Sequence, residues 1–293
     1  MLSQAKKSKI SCEYFPQLDR FLCHRQEHHP ELYEILESPI YNGLEYFRYI
    51  PGEYLSLKDI DNYLASYPQE LCCEITNDCN IRCRVCIADA PVTPSTFLTL
   101  QSFSEIVTKL KTDRITITGG EPTLHSNLSK IIEIASWAAK IVVLSTNGLE
   151  TEIIEESLQG IDNVILAVSL HGIPEIHDFF TNQTGACELA CKTVTKKTFQ
   201  NVVCQIHTTI TPETLEGLPA LLDMVAEMEV SEHRLNLVKP QGRGAKREVS
   251  FQDVSCCIKN KSPQHKVVVK RVDQPFYFLN CFGELEVRHV RKK

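Results

Sequence analysis

The sequence predicts an α/β fold, in which strands and helices alternate along the chain. Short runs of alternating or wholly apolar residues recur, for example at 114–118 and 141–144, and they end in turn-forming residues. Segments with helical spacing, such as 128–139, lie between these runs. The 293 residues are 43% hydrophobic and 23% charged, an ordinary balance for a globular protein with one large domain.

Six strands and five helices are expected in the central part of the chain. The expected strands are 70–76, 114–118, 141–144, 164–168, 202–210 and 234–238. The expected helices are 98–110, 128–139, 150–158, 186–199 and 215–228. Strands that alternate with helices in this way form parallel sheets. Outside this part, residues 18–36 have helix-like apolar spacing, and 267–272 and 276–279 are expected to be closing strands.

Three cysteines follow the first predicted strand. Cys79, Cys83 and Cys86 have the spacing Cys-x3-Cys-x2-Cys. Thiolates are soft ligands that suit zinc or an iron–sulfur cluster. Structural zinc sites close a tetrahedron with four ligands, whereas three ligands in one loop match a four-iron cluster with one iron left open. Buried apolar cysteines or a disulfide framework are the alternatives, although the loop itself is polar.

A glycine-rich turn, Gly119-Gly120-Glu121-Pro122, follows the second predicted strand. Glycine permits positive φ and a close approach of the backbone to a ligand. In this order and context, the cysteine spacing and the turn resemble the radical S-adenosylmethionine (SAM) superfamily. The resemblance covers residues 71–245 and implies a partial (β/α)6 TIM-like barrel that is open on one side. Residues 1–70 are then an N-terminal accessory segment, and residues 246–293 are a short C-terminal extension.

The resemblance also implies two cofactors and a reaction. Cys79, Cys83 and Cys86 would bind a [4Fe-4S] cluster, whose open iron would be chelated by S-adenosyl-L-methionine. One electron from the reduced cluster would cleave SAM to methionine and a 5′-deoxyadenosyl radical, which would abstract a hydrogen from the substrate. The cofactors would carry this chemistry, while the protein would orient and shield it.

Several further residues match positions that contact SAM in this superfamily. The resemblance assigns Gly119, Gly120 and Glu121 to the amino group of the methionine moiety. On their own, these residues could equally form a plain strand-to-helix turn. Ser169, at the carboxyl end of the fourth predicted strand, occupies the place of a serine that contacts the ribose.

Two more candidates lie after the third and the sixth predicted strands. Thr146 and Asn147 belong to a Thr-Asn-Gly turn that borders the SAM site in the superfamily, and a simple capping turn is the alternative. Arg243 ends a Pro-x-Gly-Arg stretch. Its guanidinium suits bidentate binding of the SAM carboxylate, or it lines the mouth of the barrel.

The chain departs from the superfamily's pattern at two places. Val85 stands before the last cysteine, where an aromatic residue commonly packs near the adenine. Thr181-Asn182 replaces the usual Arg-Gly. His171 and His177 lie in the same stretch, and structural hydrogen bonding is expected of them, with a role toward substrate or protons as the alternative.

The substrate is expected to be a peptide or protein, because the stretch after Ser169 resembles the branch of peptide maturases and molybdenum-cofactor synthases. Modification of a cofactor, a nucleotide or RNA is the alternative, and a non-catalytic protein that binds a metal or a cluster is the second alternative. A flavodoxin- or ferredoxin-like protein is expected to supply the electron. The sequence does not decide whether a second cluster binds to Cys256, Cys257 and Cys281.

The composition limits the remaining classes. The net charge of −6 gives no general case for nucleic-acid binding, although the basic residues within 246–293 leave a polyanionic partner open. The 13 cysteines, without a signal or lipidation motif, favour reduced thiols in the cytoplasm. No apolar run is long enough to span a membrane.

Overall fold

The computed structural model describes most of the predicted core and parts of the flanking segments. The described residues are 10–15, 20–25, 70–110, 112–199, 202–238, 242–244, 247–250, 253–254, 256–258, 266–270, 276–279, 281–282 and 285–288. By its contacts the chain divides into two compact units. One comprises residues 1–68, 272–276 and 287–293, and the other comprises 69–271 and 277–286.

In the first unit, β1 (Ile10–Phe15) and β2 (Arg20–Arg25) form an antiparallel pair. The helix expected over 18–36 is therefore wrong where β2 lies; the rest of that range is outside the described residues. The apolar spacing that suggested a helix has a gap between Leu22 and Leu32. Pairing with the neighbouring strand outweighs so weak a helical pattern.

In the second unit, helices alternate with strands as the sequence predicts. The strands are β3 (Glu70–Glu74), β4 (Arg114–Thr118), β5 (Ile141–Thr146), β6 (Val164–Ser169), β7 (Val203–Ile210), β8 (Glu232–Leu237), β9 (Val267–Lys270), β10 (Phe276–Leu279) and β11 (Leu285–Arg288). Of the last two strands, residues 277–279 and 285–286 belong to this unit. The helices are α1 (Leu100–Lys109), α2 (Leu128–Ala138), α3 (Thr151–Leu158), α4 (Pro174–Thr181), α5 (Ala186–Val194), α6 (Pro212–Glu216) and α7 (Leu218–Ala226).

The strand order of the large sheet is β11-β10-β3-β4-β5-β6-β7-β8-β9 within the described residues. From β3 to β8 the strands pair in parallel and in chain order, so each crossover moves one strand along the sheet. This is the winding of a (β/α) barrel, and the added edge strands fit an open, partial one. The predicted fold class is confirmed.

Local sequence explains where the helices begin. Thr99 caps α1 by accepting a hydrogen bond from the Ser102 amide at 3.1 Å. Thr211 and Thr214 form reciprocal capping bonds at the start of α6. The predicted helix at 215–228 is instead split between α6 and α7 at Gly217.

The predicted helix at 186–199 likewise ends early. It ends at Val194 and is followed by a 3-10 turn over Lys197–Phe199. Helix α4 was missed, although Pro174 at its first position and Glu175 in its first turn are typical start signals.

A continuous apolar core lies along the sheet and under the helices. Its fully buried members include Leu71, Ile117, Leu144, Leu166 and Ile206, from five successive strands. Each such side chain contributes about 1.5–3 kcal/mol of burial free energy. In the part of the chain that is described, no helix is both long and apolar enough to cross a membrane. Because β3 to β8 are parallel, the turns that follow these strands all lie at the carboxyl end of the sheet.

Candidate active site

The three cysteines lie on a long loop that leaves the carboxyl end of β3, here named the cysteine loop (residues 77–97). Its base is closed by a bridge between Thr76 and Phe97 and by the Leu98 amide, which donates to the Ile75 carbonyl at 2.8 Å. The buried Asn77 side chain accepts a bond from the Thr96 amide at 2.7 Å. The loop therefore starts and ends at the edge where parallel α/β proteins carry their sites.

The thiols of Cys79, Cys83 and Cys86 are half-buried and interact with one another. Burial raises the pKa of Cys79 to about 11, and the charges of Glu121 and Cys86 add to this effect. Burial, followed by the charges of Cys86 and Cys79, raises the pKa of Cys83 to about 12. Because Cys79 and Cys83 hold their protons so tightly, an iron centre that binds their thiolates must displace those protons.

The donor set fits the cluster that the spacing predicts. Among the described residues, no three histidine, cysteine or acidic side chains converge closely enough for a single metal ion. A four-iron cluster separates its thiolate ligands more widely than one ion does. The three thiols on one loop would supply three of the four ligands that such a cluster takes.

The glycine-rich turn after β4 packs directly on the backbone of the cysteine loop. The amide of Gly120 donates to the Thr76 carbonyl at 2.7 Å, and that of Glu121 donates to the Asp78 carbonyl at 2.7 Å. A Cβ atom on Gly120 would lie 1.9 Å from the Asp78 oxygen, and one on Gly119 would lie 2.5 Å from the Thr76 oxygen. Both positions therefore require glycine because two backbones meet there.

The carboxylate of Glu121 is buried and joins two turns. It accepts bonds from the amide and the hydroxyl of Thr123, from the hydroxyl of Thr146 and, at 2.8 Å, from the amide of Asn147. Burial raises the pKa of Glu121, and the same hydrogen bonds oppose that rise. The side chain therefore holds the turn after β5 against the turn after β4.

Asn147 links the turn after β5 to the cysteine loop. Its side-chain nitrogen donates to the Asn80 side-chain oxygen at 2.7 Å, and its own oxygen accepts from the Leu149 amide at 3.1 Å. Asn80 lies immediately after Cys79, and its nitrogen reaches Glu150 at 3.4 Å. Both polar groups of Asn147 are therefore used within the protein.

The end of α4 contacts the opposite part of the cysteine loop. The Arg84 backbone amide donates to the Phe180 carbonyl at 2.9 Å, and the Nε atom of the Arg84 side chain donates to the Phe179 carbonyl at 2.8 Å. The Arg84 guanidinium also lies 4.0 Å from the centroid of the Phe179 ring, a cation–π contact. This contact fixes the loop between Cys83 and Cys86.

Arg243 approaches the cysteine loop from the segment after β8. Its Nε donates to the Cys83 carbonyl at 2.6 Å, a terminal nitrogen donates to the Ala90 carbonyl at 2.7 Å, and the other pairs with the Asp89 carboxylate. Its backbone amide donates to the Cys86 carbonyl at 2.9 Å. The predicted site residue is therefore next to two of the three cysteines, and its donors bind the loop.

Ser169 and two histidines line the same edge after β6. Ser169 is partly exposed, and no hydrogen bond among the described residues uses its hydroxyl. The amide of His171 donates to His177 Nδ1 at 3.0 Å, and the Thr209 amide donates to His171 Nδ1 at 3.1 Å. Both imidazoles therefore carry their proton on Nε2, and the buried Nε2 of His177 has no hydrogen-bond partner among the described residues.

Other cysteines of the described residues lie on α5, between β8 and β9, and after β10. Cys187 is buried, as a packing residue would be, and its sulfur lies 4.0 Å from that of Cys191. Cys281 is buried after β10 and donates to the Glu74 carboxylate at 3.5 Å. Cys256 is exposed. A second cluster on Cys256, Cys257 and Cys281 stays a prediction.

Comparison with known proteins identifies the family and the fold. The pattern of the radical SAM superfamily matches residues 73–225, which is more than half of the chain. This protein belongs to the radical SAM superfamily. Proteins of this superfamily are enzymes that use a [4Fe-4S] cluster and S-adenosylmethionine, as the sequence predicts from the cysteine loop and the glycine-rich turn.

Individual relatives in the superfamily differ in what they make. An AdoMet-dependent heme synthase of Methanosarcina barkeri is 26% identical over 225 residues, covering 73% of this chain and 64% of the relative. The sporulation killing factor maturation protein SkfB of Bacillus subtilis is 25% identical over 171 residues, covering 57% and 41%. This chain therefore spans less than two thirds of either relative.

Solved structures support the fold. SuiB of Streptococcus suis bound to S-adenosylmethionine superposes with a TM-score of 0.64 at 13% identity, covering 87% of this chain and 69% of SuiB. SuiB bound to the precursor peptide SuiA gives a TM-score of 0.61 at 15% identity, covering 84% and 64%. At this identity the likeness concerns the fold alone.

The structure brings the predicted site residues to one edge but links them through residues that sequence reasoning did not assign. The Asn80 side chain, the Arg84 side chain and the Asp89 carboxylate each tie the cysteine loop to another segment. The high density of polar residues in the loop was the available signal. Their partners lie far away in sequence, so local pattern could not supply them.

Proposed function

We propose that this chain is a radical SAM enzyme in which Cys79, Cys83 and Cys86 hold the [4Fe-4S] cluster. The observation that carries the proposal is the fixing of the cysteine loop by the turns after β4 and β5, the end of α4 and Arg243. A loop that only packed its thiols would not require so many polar links. When bound, the cluster and SAM supply the one-electron cleavage that starts radical chemistry.

The residues of the chain provide binding and orientation around these cofactors. No described hydrogen bond ends on the carbonyl oxygens of Gly119 and Gly120, so both are available to accept from the amino group of SAM. The hydroxyl of Ser169 is available to the ribose. The side chains of Glu121 and Asn147 bond within the protein, so we propose that they fix the two turns that border SAM and do not contact SAM themselves.

Anaerobic reconstitution with iron and sulfide tests the cofactor assignment. We expect about four irons per chain, as a [4Fe-4S] centre requires, and, after reduction with dithionite, an electron paramagnetic resonance signal that changes when SAM is added. Cys83→Ala should lose the signal. Zinc bound in place of iron, or a signal that SAM leaves unchanged, would favour the non-catalytic alternative.

The substrate we propose is a peptide or protein. The similarity to the maturation protein SkfB and the fold shared with peptide-bound SuiB support this class. Synthesis of a tetrapyrrole cofactor is the second candidate, because the heme synthase is similar over 73% of this chain. The two classes differ in size and in charge, so the same barrel mouth cannot serve both equally well.

Substrate-dependent turnover separates these two classes. The reconstituted enzyme is mixed with SAM and reductant, and either a synthetic copy of a short peptide encoded beside its gene or an iron porphyrin is added. We expect the peptide to increase 5′-deoxyadenosine formation and to change in mass, and the porphyrin to do neither. The reverse result would assign the enzyme to tetrapyrrole synthesis.

We further propose that an acidic flavodoxin- or ferredoxin-like protein delivers the electron at the outer face of the cysteine loop. Arg82 and Arg84, on either side of Cys83, are both exposed. Ile87 and Phe179 add apolar surface, at 52% and 57% exposure. On a chain of net charge −6, a local positive patch beside the cluster would orient an acidic donor that the rest of the surface repels.

A further inference from the structure

Arg243 makes four hydrogen bonds to the cysteine loop, three from its side chain and one from its backbone amide. Its three guanidinium nitrogens reach three separate groups, namely the Cys83 carbonyl, the Ala90 carbonyl and the Asp89 carboxylate. Its backbone amide bonds to the carbonyl of a second ligand, Cys86, at 2.9 Å. Arg243 thus contacts the cysteine loop at positions from Cys83 to Ala90.

The backbone beside Arg243 lies directly against the loop. Gly242 has a φ of 54°, and a Cβ atom there would lie 2.2 Å from the Cys86 carbonyl and 2.6 Å from the Ile87 carbonyl. Only glycine allows the short 3-10 turn Gly242–Gly244 to come this close. The contact is therefore a built one and does not depend on the Arg243 side chain alone.

Charge adds a second effect to this geometry. The Arg243 side chain is 18% exposed, whereas the Asp89 side chain is 61% exposed, so water screens the carboxylate more than the guanidinium. Reduction makes a cluster more negative. A shielded cation hydrogen-bonded to the peptide group of a ligand cysteine should therefore stabilise the reduced form, as charges and hydrogen bonds around clusters do.

We infer that Arg243 is a positioning residue for the cluster: it holds Cys83 and Cys86 in place for the iron and raises the reduction potential of the cluster. This inference rests on the proposed function, since it requires a cluster on the three cysteines. It also differs from the expected contact with the SAM carboxylate. In the structure each of the three guanidinium nitrogens donates a hydrogen bond to the cysteine loop.

Three variants separate geometry from charge. Arg243→Gln removes the charge and the planar fork, Arg243→Lys keeps the charge without the fork, and Asp89→Asn removes the ion pair while both carbonyl bonds remain. Each protein is reconstituted, and three properties are measured: iron retained against a chelator, the reduction potential by redox titration, and the dissociation constant of SAM. Circular dichroism of the metal-free proteins checks that each variant folds.

We expect Arg243→Gln and Arg243→Lys to weaken iron retention, with an apparent loss in affinity of about 10- to 100-fold, the usual effect of removing a residue that orients metal ligands. The potential should fall in Arg243→Gln, stay near the wild-type value in Arg243→Lys and rise slightly in Asp89→Asn. If Arg243→Gln does not fold, the other two variants still decide the matter through iron retention and potential.

Two results would overturn the inference. Normal iron retention and potential in the Arg243 variants, with SAM binding alone weakened, would make Arg243 a SAM ligand. Unchanged behaviour in all three properties would leave it with no role at the cluster. Failure of the proposed function would look different, because the wild-type protein itself would then bind no four-iron cluster.

Discussion

The side-chain nitrogen of Asn147 donates a 2.7 Å hydrogen bond to the side-chain oxygen of Asn80, which joins the turn after β5 to the residue that follows Cys79. This bond links two segments 67 residues apart in the chain. Cys79, which we propose as the first cluster ligand, is therefore positioned by the turn after a strand that lies two positions away in the sheet.

Asn147→Ala should loosen the cysteine loop without unfolding the protein. The variant loses the bond to Asn80 and the bond that its oxygen accepts from the Leu149 amide, each worth about 1 kcal/mol. We expect faster loss of iron to a chelator. Asn163→Ala is the matched control, because Asn163 makes two bonds of 3.0 Å at the opposite end of the sheet. Equal iron loss in both variants would contradict the link.

Gly120→Ala should disrupt the contact between the glycine-rich turn and the cysteine loop. The added Cβ would lie 1.9 Å from the Asp78 carbonyl, so the two backbones must separate and lose the bonds that hold them. Overpacking of this kind costs about 1–3 kcal/mol, and we expect lower stability in urea and a lower iron content. In Gly160→Ala the Cβ meets nothing within 4 Å, although Gly160 has a φ of 75°.

The two glycine variants separate two effects: Gly120→Ala disrupts a close contact between backbones, and Gly160→Ala adds only backbone strain. Gly160→Ala should cost about 1 kcal/mol for a residue with a side chain at positive φ, with no change in iron content. A Gly120→Ala protein that retains its full complement of iron would show that the close approach is dispensable.

The buried pair of histidines should make the metal-free protein less stable in mild acid. Burial lowers the pKa of His177 to about 4, and the Asp178 charge only partly opposes this. Burial, followed by the His177 charge, lowers the pKa of His171 well below its usual value. Unfolded histidine titrates near 6.5, so between about pH 6.5 and 4 the unfolded chain binds protons that the folded chain does not. The free energy of unfolding should therefore decrease as the pH is lowered from about 6.5 to 4.

His177→Asn tests this titration. Its side-chain oxygen can replace Nδ1 as the acceptor for the His171 amide, but it does not take up a proton. The free energy of unfolding of the wild type should drop on the order of 3 kcal/mol more than that of the variant between pH 6.5 and 4. Parallel curves for the two proteins would show that His177 is protonated in the folded state as easily as in the unfolded one.

Arg82→Glu should slow reduction of the cluster by an acidic protein donor. Arg82 is exposed beside Cys83, so the variant reverses a charge on the face we assign to the donor. With reduced flavodoxin at low salt, we expect the rate to fall about 10-fold or more and the difference to shrink as salt is added. Dithionite, which needs no docking surface, should reduce both proteins at the same rate.

Lys140→Glu is the charge-matched control for that experiment. Lys140 precedes β5 at the amino end of the sheet and pairs with Asp113 at 3.0 Å, away from the cysteine loop. An equal loss of rate in Lys140→Glu and Arg82→Glu would indicate a general effect of net charge and would exclude a local docking site.

The sequence predicted the parts of this protein that depend on local pattern. The alternation of strands and helices, the cysteine loop after β3 and the glycine-rich turn after β4 all follow from residues close together in the chain. Strand β2 was mispredicted and α4 was missed, because pairing between strands and a short helix of eight residues leave weak periodic signals.

The links that hold the site could not be predicted in the same way. Arg243 was expected to contact the SAM carboxylate or to line the barrel mouth, but its bond to Cys83 joins positions 160 residues apart. The buried Glu121 carboxylate can bond to the turn after β5 only because β4 and β5 are neighbours in the sheet and their carboxyl ends lie side by side. Such contacts are set by the sheet as a whole, and only their residue types appear in the sequence.

Formation of 5′-deoxyadenosine tests the central claim most directly. The reconstituted protein is incubated without oxygen with SAM and a strong reductant, and the product is quantified by chromatography. The account predicts 5′-deoxyadenosine and methionine in equal amounts from the wild type, and neither from Cys83→Ala. A wild-type protein with a verified four-iron cluster that yields no 5′-deoxyadenosine, with reductant, donor and candidate substrates all present, would contradict it.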